Sequence, residues 1–341
     1  MKSFAFISPI DLSVSVLPVF AFLGALVVLD SYKLVKVRSI VLAILVGCAA
    51  GAMCYFLNGW AQQYFGVDAA QYRRYGAPLV EEFMKALYLV SLIRAKRIGF
   101  MVDAGIFGFA IGAGFALVEN VYYVQQFPEA SIIVWIIRGF GTAIMHGGAT
   151  AILGITYKSI SDRTSSESLQ ALAPGFLIAI AVHSLYNHFF FSPVGSTLVI
   201  LIVLPLVFMV VFQRSERSLR RWLRVGFDTD QELLRMITSG NLPQTPIGAY
   251  LQSLQQTFRS EIVVDMLCYL RVHIELSIQA KGILLMRQAG FEVPPDPAVQ
   301  EKFAELHALG KSIGQTGKLA ILPFLHTSGR ELWQLHMLKQ P

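Results

Sequence analysis

Seven long apolar stretches constrain this chain more than any other feature of its sequence. A helix needs about 20 residues to cross the hydrocarbon core of a bilayer. The stretches lie at residues 12–30, 39–58, 78–93, 101–124, 136–157, 170–191 and 196–213. Only 15% of the 341 residues are charged, against about 25% in a soluble domain. The pattern predicts an all-α, polytopic membrane helix bundle of about seven transmembrane helices, and it excludes a disordered chain or an ordinary soluble enzyme.

The sequence divides into three predicted parts. Residues 1–213 form the membrane bundle, and residues 214–227 read as a basic amphipathic linker at the cytoplasmic interface. Residues 228–341 carry apolar side chains at three- and four-residue spacing, which predicts a cytoplasmic helical domain of unassigned role. Residues 225–341 contain 10 basic and 11 acidic side chains. This near balance argues against a nucleic-acid partner, which requires a basic face.

Basic residues separate the two sets of alternate loops. One set contains 13 lysines and arginines between Lys33 and Arg224. The other contains Lys2, Arg73 and Arg74, with Arg138 at a helix end. Because cytoplasmic loops are enriched in lysine and arginine, the N-terminus is predicted to lie outside and the C-terminal domain inside.

Polar side chains are concentrated in four of the predicted spans. They are Glu81, Glu82 and Lys85 in the third, Glu119 and Asn120 in the fourth, His146 in the fifth, and His183 and Asn187 in the sixth. An ionisable side chain inside a span is costly, so each is a functional hypothesis. At a rise of 1.5 Å per residue, the glutamates, histidines and Asn187 lie about 5 to 15 Å below the outer boundary. This convergence predicts one site in the outer half of the membrane.

The third span pairs two carboxylates with one ammonium. Pro78 is suited to the first turn of a helix. Lys85 follows Glu81 by four residues and Glu82 by three, so it neutralises part of both charges. A carboxylate in this setting suits general acid/base chemistry. The alternative interpretation is a buried ion pair that holds helices together.

The fourth span places a glutamate at the end of a stripe of small residues. Gly108, Gly112, Phe115 and Glu119 share one helix face. Small residues four apart let another helix approach closely. The stripe therefore predicts that Glu119 is directed into a helix interface.

The histidines of the last two polar spans differ in their surroundings. His146 stands beside small residues, and a lone membrane histidine is more often an interhelical hydrogen-bond partner than a ligand. His183 and Asn187 are four residues apart and share a helix face. His188 points about 140° away from His183 and is expected to lie at the interface.

At these motifs the sequence resembles the PrsW-type intramembrane proteases, often called glutamic-type. This family belongs to a superfamily with CAAX prenyl endopeptidases and bacteriocin-processing enzymes. The resemblance covers roughly residues 40–192. It rests on Glu-Glu-x-x-Lys at Glu81–Lys85, Phe-x-x-x-Glu-Asn at Phe115–Asn120, His146, and His-x-x-x-Asn at His183–Asn187. Ala116 and Thr150 stand where family members often have Glu and sometimes Asp, which reduces the number of potential metal ligands.

The resemblance implies an intramembrane peptidase of the bacterial plasma (inner) membrane. Its substrate would be a membrane protein cut near the outer leaflet, for example a single-pass protein such as an anti-sigma factor. The predicted catalytic residues are Glu81, Glu82, Glu119, Asn120, His146, His183 and Asn187.

Within this set, one of Glu81 and Glu82 acts as the general base, and the sequence leaves open which one. His183, Asn187 and His146 bind the water or stabilise the oxyanion. Glu119 orients a histidine or serves as a second acid/base group, with Asn120 in support.

No cofactor is certain from the sequence, and zinc is the candidate. If a metal binds, His146, His183 and Glu119 are its predicted ligands and leave an open position. Water activation would then pass to the metal.

Two other functions remain open at this stage. Buried glutamates, histidines and a lysine at one depth are also expected in a proton- or ion-coupled transporter. The cytoplasmic half of the spans, however, offers little beyond Asp103 to complete a path. The third function is a non-catalytic membrane scaffold of the same fold.

Overall fold

A computed structural model describes residues 8–164, 166–239, 244–291, 293–294, 296–325 and 329–339. The described residues form helices and turns and no strand. They divide into two compact units, one up to Ser215 and one from Glu216 onward. The predicted all-α fold is confirmed.

The first unit contains the apolar helices. They are α1 (Pro9–Leu29), α2 (Val37–Phe65), the short α3 (Ala69–Gln71), α4 (Ala77–Arg94), α5 (Met101–Gln126), the short α6 (Ile132–Ile137), α7 (Ile144–Thr164), α8 (Leu169–His188) and the first part of α9 (Pro193–Thr238). Two π-helical turns, Tyr72–Gly76 and Arg138–Ala143, lead directly into α4 and α7.

Six helical segments of the described chain are long and apolar enough to cross a membrane. They are Pro9–Leu29, Val37–Phe65, Met101–Gln126, Ile132–Thr164, Leu169–His188 and Pro193–Thr238. The third predicted span corresponds to α4, which has 18 residues but carries four charged side chains, three of them Glu81, Glu82 and Lys85. The protein is thus a multi-pass membrane protein, and the charges of α4 keep this helix out of the set of apolar spans.

Helix α5 forms the centre of the first unit because its glycines allow backbone contact on two sides. A Cβ atom on Gly114 would lie 2.0 Å from the carbonyl oxygen of Ile44 in α2. A Cβ atom on Gly112 would lie 2.3 Å from the carbonyl oxygen of His146 in α7. The predicted small-residue stripe is confirmed as a packing face, and it brings α5 against the helix that carries His146.

Local sequence signals set the ends of the helices around the site. Pro78 lies in the first turn of α4, as predicted. The Ser168 hydroxyl caps α8 by accepting a hydrogen bond from the Ala171 backbone N–H at 3.3 Å. Phe189 ends α8 in a left-handed conformation, with φ at 49°. These ends set the positions of the polar turns of α4 and α8.

The second unit is a separate helical domain. It comprises the end of α9, α10 (Pro246–Leu254), α11 (Ser260–Gln288), α12 (Pro297–Ser312), α13 (Gly314–Ile321) and α14 (Gly329–Lys339). Its core contains a buried polar network in which Lys281 and Ser277 both donate to Asp230 at 2.6 Å. Gln334 of α14 donates to Ser277 at 2.8 Å. This network joins the end of α9 to α11 and α14.

Candidate active site

The predicted polar residues lie at the same level of the helix bundle, near the start of two helices and toward the end of two others. Glu81 and Glu82 occupy the second turn of α4, and His146 the first turn of α7. Glu119 and His183 lie in the last turns of α5 and α8, which run in the opposite direction. The fold therefore brings together side chains that are up to 102 residues apart in sequence.

Two buried histidines form the middle of the cluster. The rings of His146 and His183 are 4.7 Å apart between centroids and nearly perpendicular, at 86°. Their exposed fractions are 1% and 2%. The approach of α7 and α8 is close because Gly175 faces the backbone of Leu153, where a Cβ atom would lie 2.7 Å from the carbonyl oxygen. A single site formed by α7 and α8 requires this close contact between His146 and His183.

Glu82 is enclosed by donors. Its Oε1 atom accepts from the Lys85 ammonium at 2.5 Å and from His183 Nδ1 at 2.8 Å. Thr150 Oγ1 lies 3.4 Å from its other oxygen. The Glu82 side chain has no exposed surface. Its carboxylate therefore fixes the orientation of the His183 ring and neutralises Lys85.

His146 is contacted at both ring nitrogens. The Lys85 ammonium lies 3.2 Å from Nδ1, and Glu119 Oε2 lies 3.0 Å from Nε2. Because an ammonium can only donate, Nδ1 is the acceptor and Nε2 donates to Glu119. Lys85 also lies over the ring of Phe115, 4.7 Å from its centroid. One lysine thus connects the Glu82–His183 pair with the His146–Glu119 pair.

One oxygen of the Glu81 carboxylate faces His183 across a gap, whereas the Glu82 oxygen is directly bonded to that histidine. Its Oε1 atom accepts from Asn58 Nδ2 of α2 at 2.9 Å. Its Oε2 atom lies 3.7 Å from His183 Nε2, which is too long for a direct hydrogen bond. The Glu81 side chain is 12% exposed. This spacing suits two groups that share one water molecule or one metal ion.

Glu119 is anchored by Arg138, which the sequence predicts at a helix end. Arg138 Nη2 lies 3.2 Å from Glu119 Oε2, and Arg138 Nε donates to Asn120 Oδ1 at 2.8 Å. Asn120 in turn donates to the backbone carbonyl of Ser15 in α1 at 2.5 Å. Asn120 therefore supports Glu119 through Arg138.

Asn187 lies on the face of α8 predicted from the sequence, but its amide is used elsewhere. It donates to the backbone carbonyl of Arg73 at 3.0 Å, in the π-helical turn before α4. The predicted role of Asn187, binding water or an oxyanion beside His183, stays a prediction, and in this structure its NH₂ group is bonded to Arg73 instead of to the cluster. His188 contacts the Tyr75 hydroxyl at 3.0 Å, apart from the cluster.

The donor set of the cluster suits a zinc ion. One ligand atom each of Glu81, His146 and His183 lies within 4.8 Å of the others. Two imidazoles and a carboxylate are the ligands of many catalytic zinc sites, which keep a fourth position open. The bond from His183 Nδ1 to Glu82 is the outer contact that commonly orients a zinc-binding histidine.

The three residues that could bind a metal in the structure differ in one member from the three predicted from the sequence. Glu81 takes the place expected for Glu119, because Arg138 and His146 already contact the Glu119 carboxylate. His146 would also have to release Lys85 or Glu119 to bind a metal, since both of its nitrogens are in use.

Sequence reasoning missed three contributors to the cluster. Asn58 stands at the end of an apolar run, Arg138 was counted only as a basic residue at a helix end, and Thr150 was noted only for its departure from the family pattern. Each is a polar residue in or beside an apolar helix, and this was the available signal.

Comparison with known proteins gives a family match over the part of the chain that contains the site. A family model described as PrsW family intramembrane metalloprotease matches residues 36–213, just over half of the chain. That range contains the seven predicted site residues and Asn58, Arg138 and Thr150. Neither a curated protein nor a solved structure matches the chain significantly.

Proposed function

The chain belongs to the PrsW family of intramembrane metalloproteases, and from this premise we propose that it is an endopeptidase that hydrolyses peptide bonds of membrane-protein substrates. One observation carries the proposal. Two buried histidines and three glutamates from four helices meet in one cluster, with an oxygen of Glu81 facing His183 across 3.7 Å. Hydrolysis inside a membrane requires polar groups of this kind, which bind and activate water.

In this proposal Glu81 is the general base. It accepts a proton from the attacking water through Oε2 and passes the proton to the leaving amine. The two adjacent glutamates differ because Glu82 Oε1 is occupied by Lys85 and His183, whereas Glu81 Oε2 is directed into the cluster. In this proposal the two glutamates therefore have different roles.

Glu82 and Glu119 act through the histidines. Glu82 holds the Nδ1 proton of His183, so that the Nε2 lone pair faces the reacting groups. Glu119 accepts from His146 Nε2 and is itself held by Arg138. With Nε2 unprotonated, His183 accepts a hydrogen bond from the attacking water.

The family description and the donor set together support a zinc ion held by Glu81, His146 and His183. Bound there, zinc would supply Lewis-acid chemistry, which lowers the pKa of water and polarises a carbonyl. If zinc binds there, Glu81 would be a ligand and no longer the general base, and Glu119, which contacts His146 Nε2, would be the carboxylate that takes up the proton.

We place the protein in a bacterial inner membrane with its N-terminus outside. Support comes from the excess of lysine and arginine in alternate loops. In that orientation the cluster lies in the outer half of the bilayer, since Glu81 is close to the start of α4 and His183 is close to the end of α8. The substrate class that fits is a single-pass membrane protein, for example an anti-sigma factor.

The test compares new protein termini in bacterial cells that produce the wild-type chain or Glu81→Gln. Terminal labelling and mass spectrometry should find termini at the outer edge of single-pass membrane proteins only with the wild type. The purified enzyme should then cut such a protein in liposomes, and a zinc chelator should stop the reaction until zinc is restored.

His188→Ala is the matched control, because His188 is on the same helix as His183 but contacts Tyr75 instead of the cluster. It should yield the wild-type termini. Identical termini from cells that produce the wild-type chain and from cells that lack it would contradict the proposed protease and favour a scaffold, whereas wild-type termini with Glu81→Gln would contradict only the role of Glu81.

A further inference from the structure

Asn58 connects the Glu81 carboxylate to a tyrosine outside the cluster. Its Nδ2 atom donates to Glu81 Oε1 at 2.9 Å, and its Oδ1 atom accepts from the Tyr72 hydroxyl at 3.1 Å. The two contacts fix the orientation of the amide. A rotated amide would place its oxygen against the carboxylate and its NH₂ group against the hydroxyl donor.

Tyr72 is itself held in place. Its ring is buried with Ala61 and Ala77, and it belongs to the π-helical turn before α4. A Cβ atom on Gly76 would lie 2.6 Å from this ring, so the absence of a side chain there gives the ring its space. The hydrogen bonds that run from Tyr72 through Asn58 to Glu81 therefore begin at a side chain held in place by packing.

The consequence for Glu81 concerns which oxygen is available. Asn58 occupies Oε1, and Oε2 remains 3.7 Å from His183 Nε2. Rotation about the last side-chain bond of glutamate is soft. Without the amide, the carboxylate can turn, and Oε2 is then no longer held opposite His183 Nε2, where both groups contact the attacking water.

We propose that Asn58 is a positioning residue that holds the Glu81 carboxylate in its reactive orientation, and that Tyr72 acts through Asn58. This inference rests on the proposed function, because it concerns the orientation of the proposed base and metal ligand. Neither residue touches the reacting atoms.

The experiment measures Co²⁺ affinity and cleavage with purified full-length protein. Cobalt serves as a spectroscopic substitute for zinc, and the substrate is the protein identified by terminal labelling. Asn58→Leu removes the hydrogen bonds at similar volume. It should weaken Co²⁺ binding about 10- to 100-fold, the usual effect of losing an outer-shell partner, and lower kcat with little change in KM.

Tyr72→Phe should have a smaller effect in the same direction. The double variant Asn58→Leu, Tyr72→Phe should be no worse than Asn58→Leu alone, because Tyr72 acts through the amide. Gln63→Leu is the matched control, since it makes the same replacement of an amide at an exposed position of α2. It should behave as the wild type, and the thermal midpoints of all variants should agree.

The outcomes separate this proposal from the proposed function. If Asn58→Leu keeps wild-type affinity and kcat while Glu81→Gln loses both, the positioning role is wrong and the protease assignment stands. If Glu81→Gln keeps cleavage, the assignment of the base fails instead. If the wild type takes up no cobalt, the metal part of the function fails, and a wild-type kcat for Asn58→Leu would still overturn the role of Asn58.

Discussion

At the residue scale, Glu81 and Glu82 show how a membrane site separates two adjacent carboxylates. Neighbouring positions on a helix point about 100° apart. Glu82 therefore faces Lys85 and His183 inside the bundle, whereas Glu81 faces Asn58 of α2 and the Nε2 side of His183. Because their contacts differ, substitutions at the two positions should have different consequences.

Glu82→Gln should unfold the protein at lower temperature, whereas Glu81→Gln should not. Removing the Glu82 charge leaves the Lys85 ammonium buried without its 2.5 Å partner. Breaking such a pair lowers the free energy of unfolding by about 3–5 kcal/mol. Thermal midpoints of the detergent-solubilised variants test this difference. The double variant Glu82→Gln, Lys85→Met should recover most of the loss, and equal midpoints for the two single variants would contradict the argument.

At the element scale, glycines set the distances between the helices that carry the site. Gly108 and Gly112 of α5 both lie against the backbone of α7. The same face of α5 carries Glu119, whose carboxylate accepts from His146 Nε2 at 3.0 Å. The separation of α5 and α7 thus determines whether this hydrogen bond forms.

Gly112→Ala should therefore impair both folding and cleavage. The added Cβ atom would lie 2.3 Å from the His146 carbonyl oxygen, so α5 and α7 would have to move apart. Overpacking of this kind costs about 1–3 kcal/mol. Thermal stability and cleavage by the purified variant are the measurements. Gly24→Ala in α1 is the control because nothing lies within 4 Å of its added atom, and equal behaviour of the two variants would refute the packing argument.

At the scale of the whole molecule, the chain consists of two units of different character. The first contains the apolar helices and the whole candidate site, and the second is helical with its own buried polar network. The boundary at Ser215 lies within α9, whose residues Leu219 and Leu223 are buried and belong to the second unit. The residue at which the chain is truncated should therefore affect whether the shortened protein stays folded and soluble in detergent.

A chain that ends at Ser215 should stay folded in detergent with its site intact. It keeps every described contact of the cluster, from Asn58 to His183. A chain that ends at residue 227 should aggregate more readily, because it retains Leu219 and Leu223 without the rest of their unit. Size-exclusion chromatography and Co²⁺ binding test both statements. Aggregation of the shorter chain would show that the second unit is required for the first to fold.

The membrane helices, and the polar side chains that meet in the cluster, could be predicted from the amino-acid sequence. Long apolar runs can only be helices in a bilayer, where every backbone group must be bonded within its segment. Because charge is costly there, Glu81, Glu82, Glu119, His146 and His183 stood out as residues with a function. The glycine stripe of α5 also indicated a close helix contact, which the structure confirms.

Only the tertiary structure decided which partner each polar group has. Asn187 shares a face of α8 with His183, yet its amide reaches Arg73 in the turn before α4. Arg138 binds Glu119, and Asn58 binds Glu81, from helices whose sequences show nothing of these pairings. Spacing along one helix defines a face, but the crossing of two helices selects the side chain that meets it. Hydrogen bonds are directional and short, so small differences in helix separation determine which groups pair.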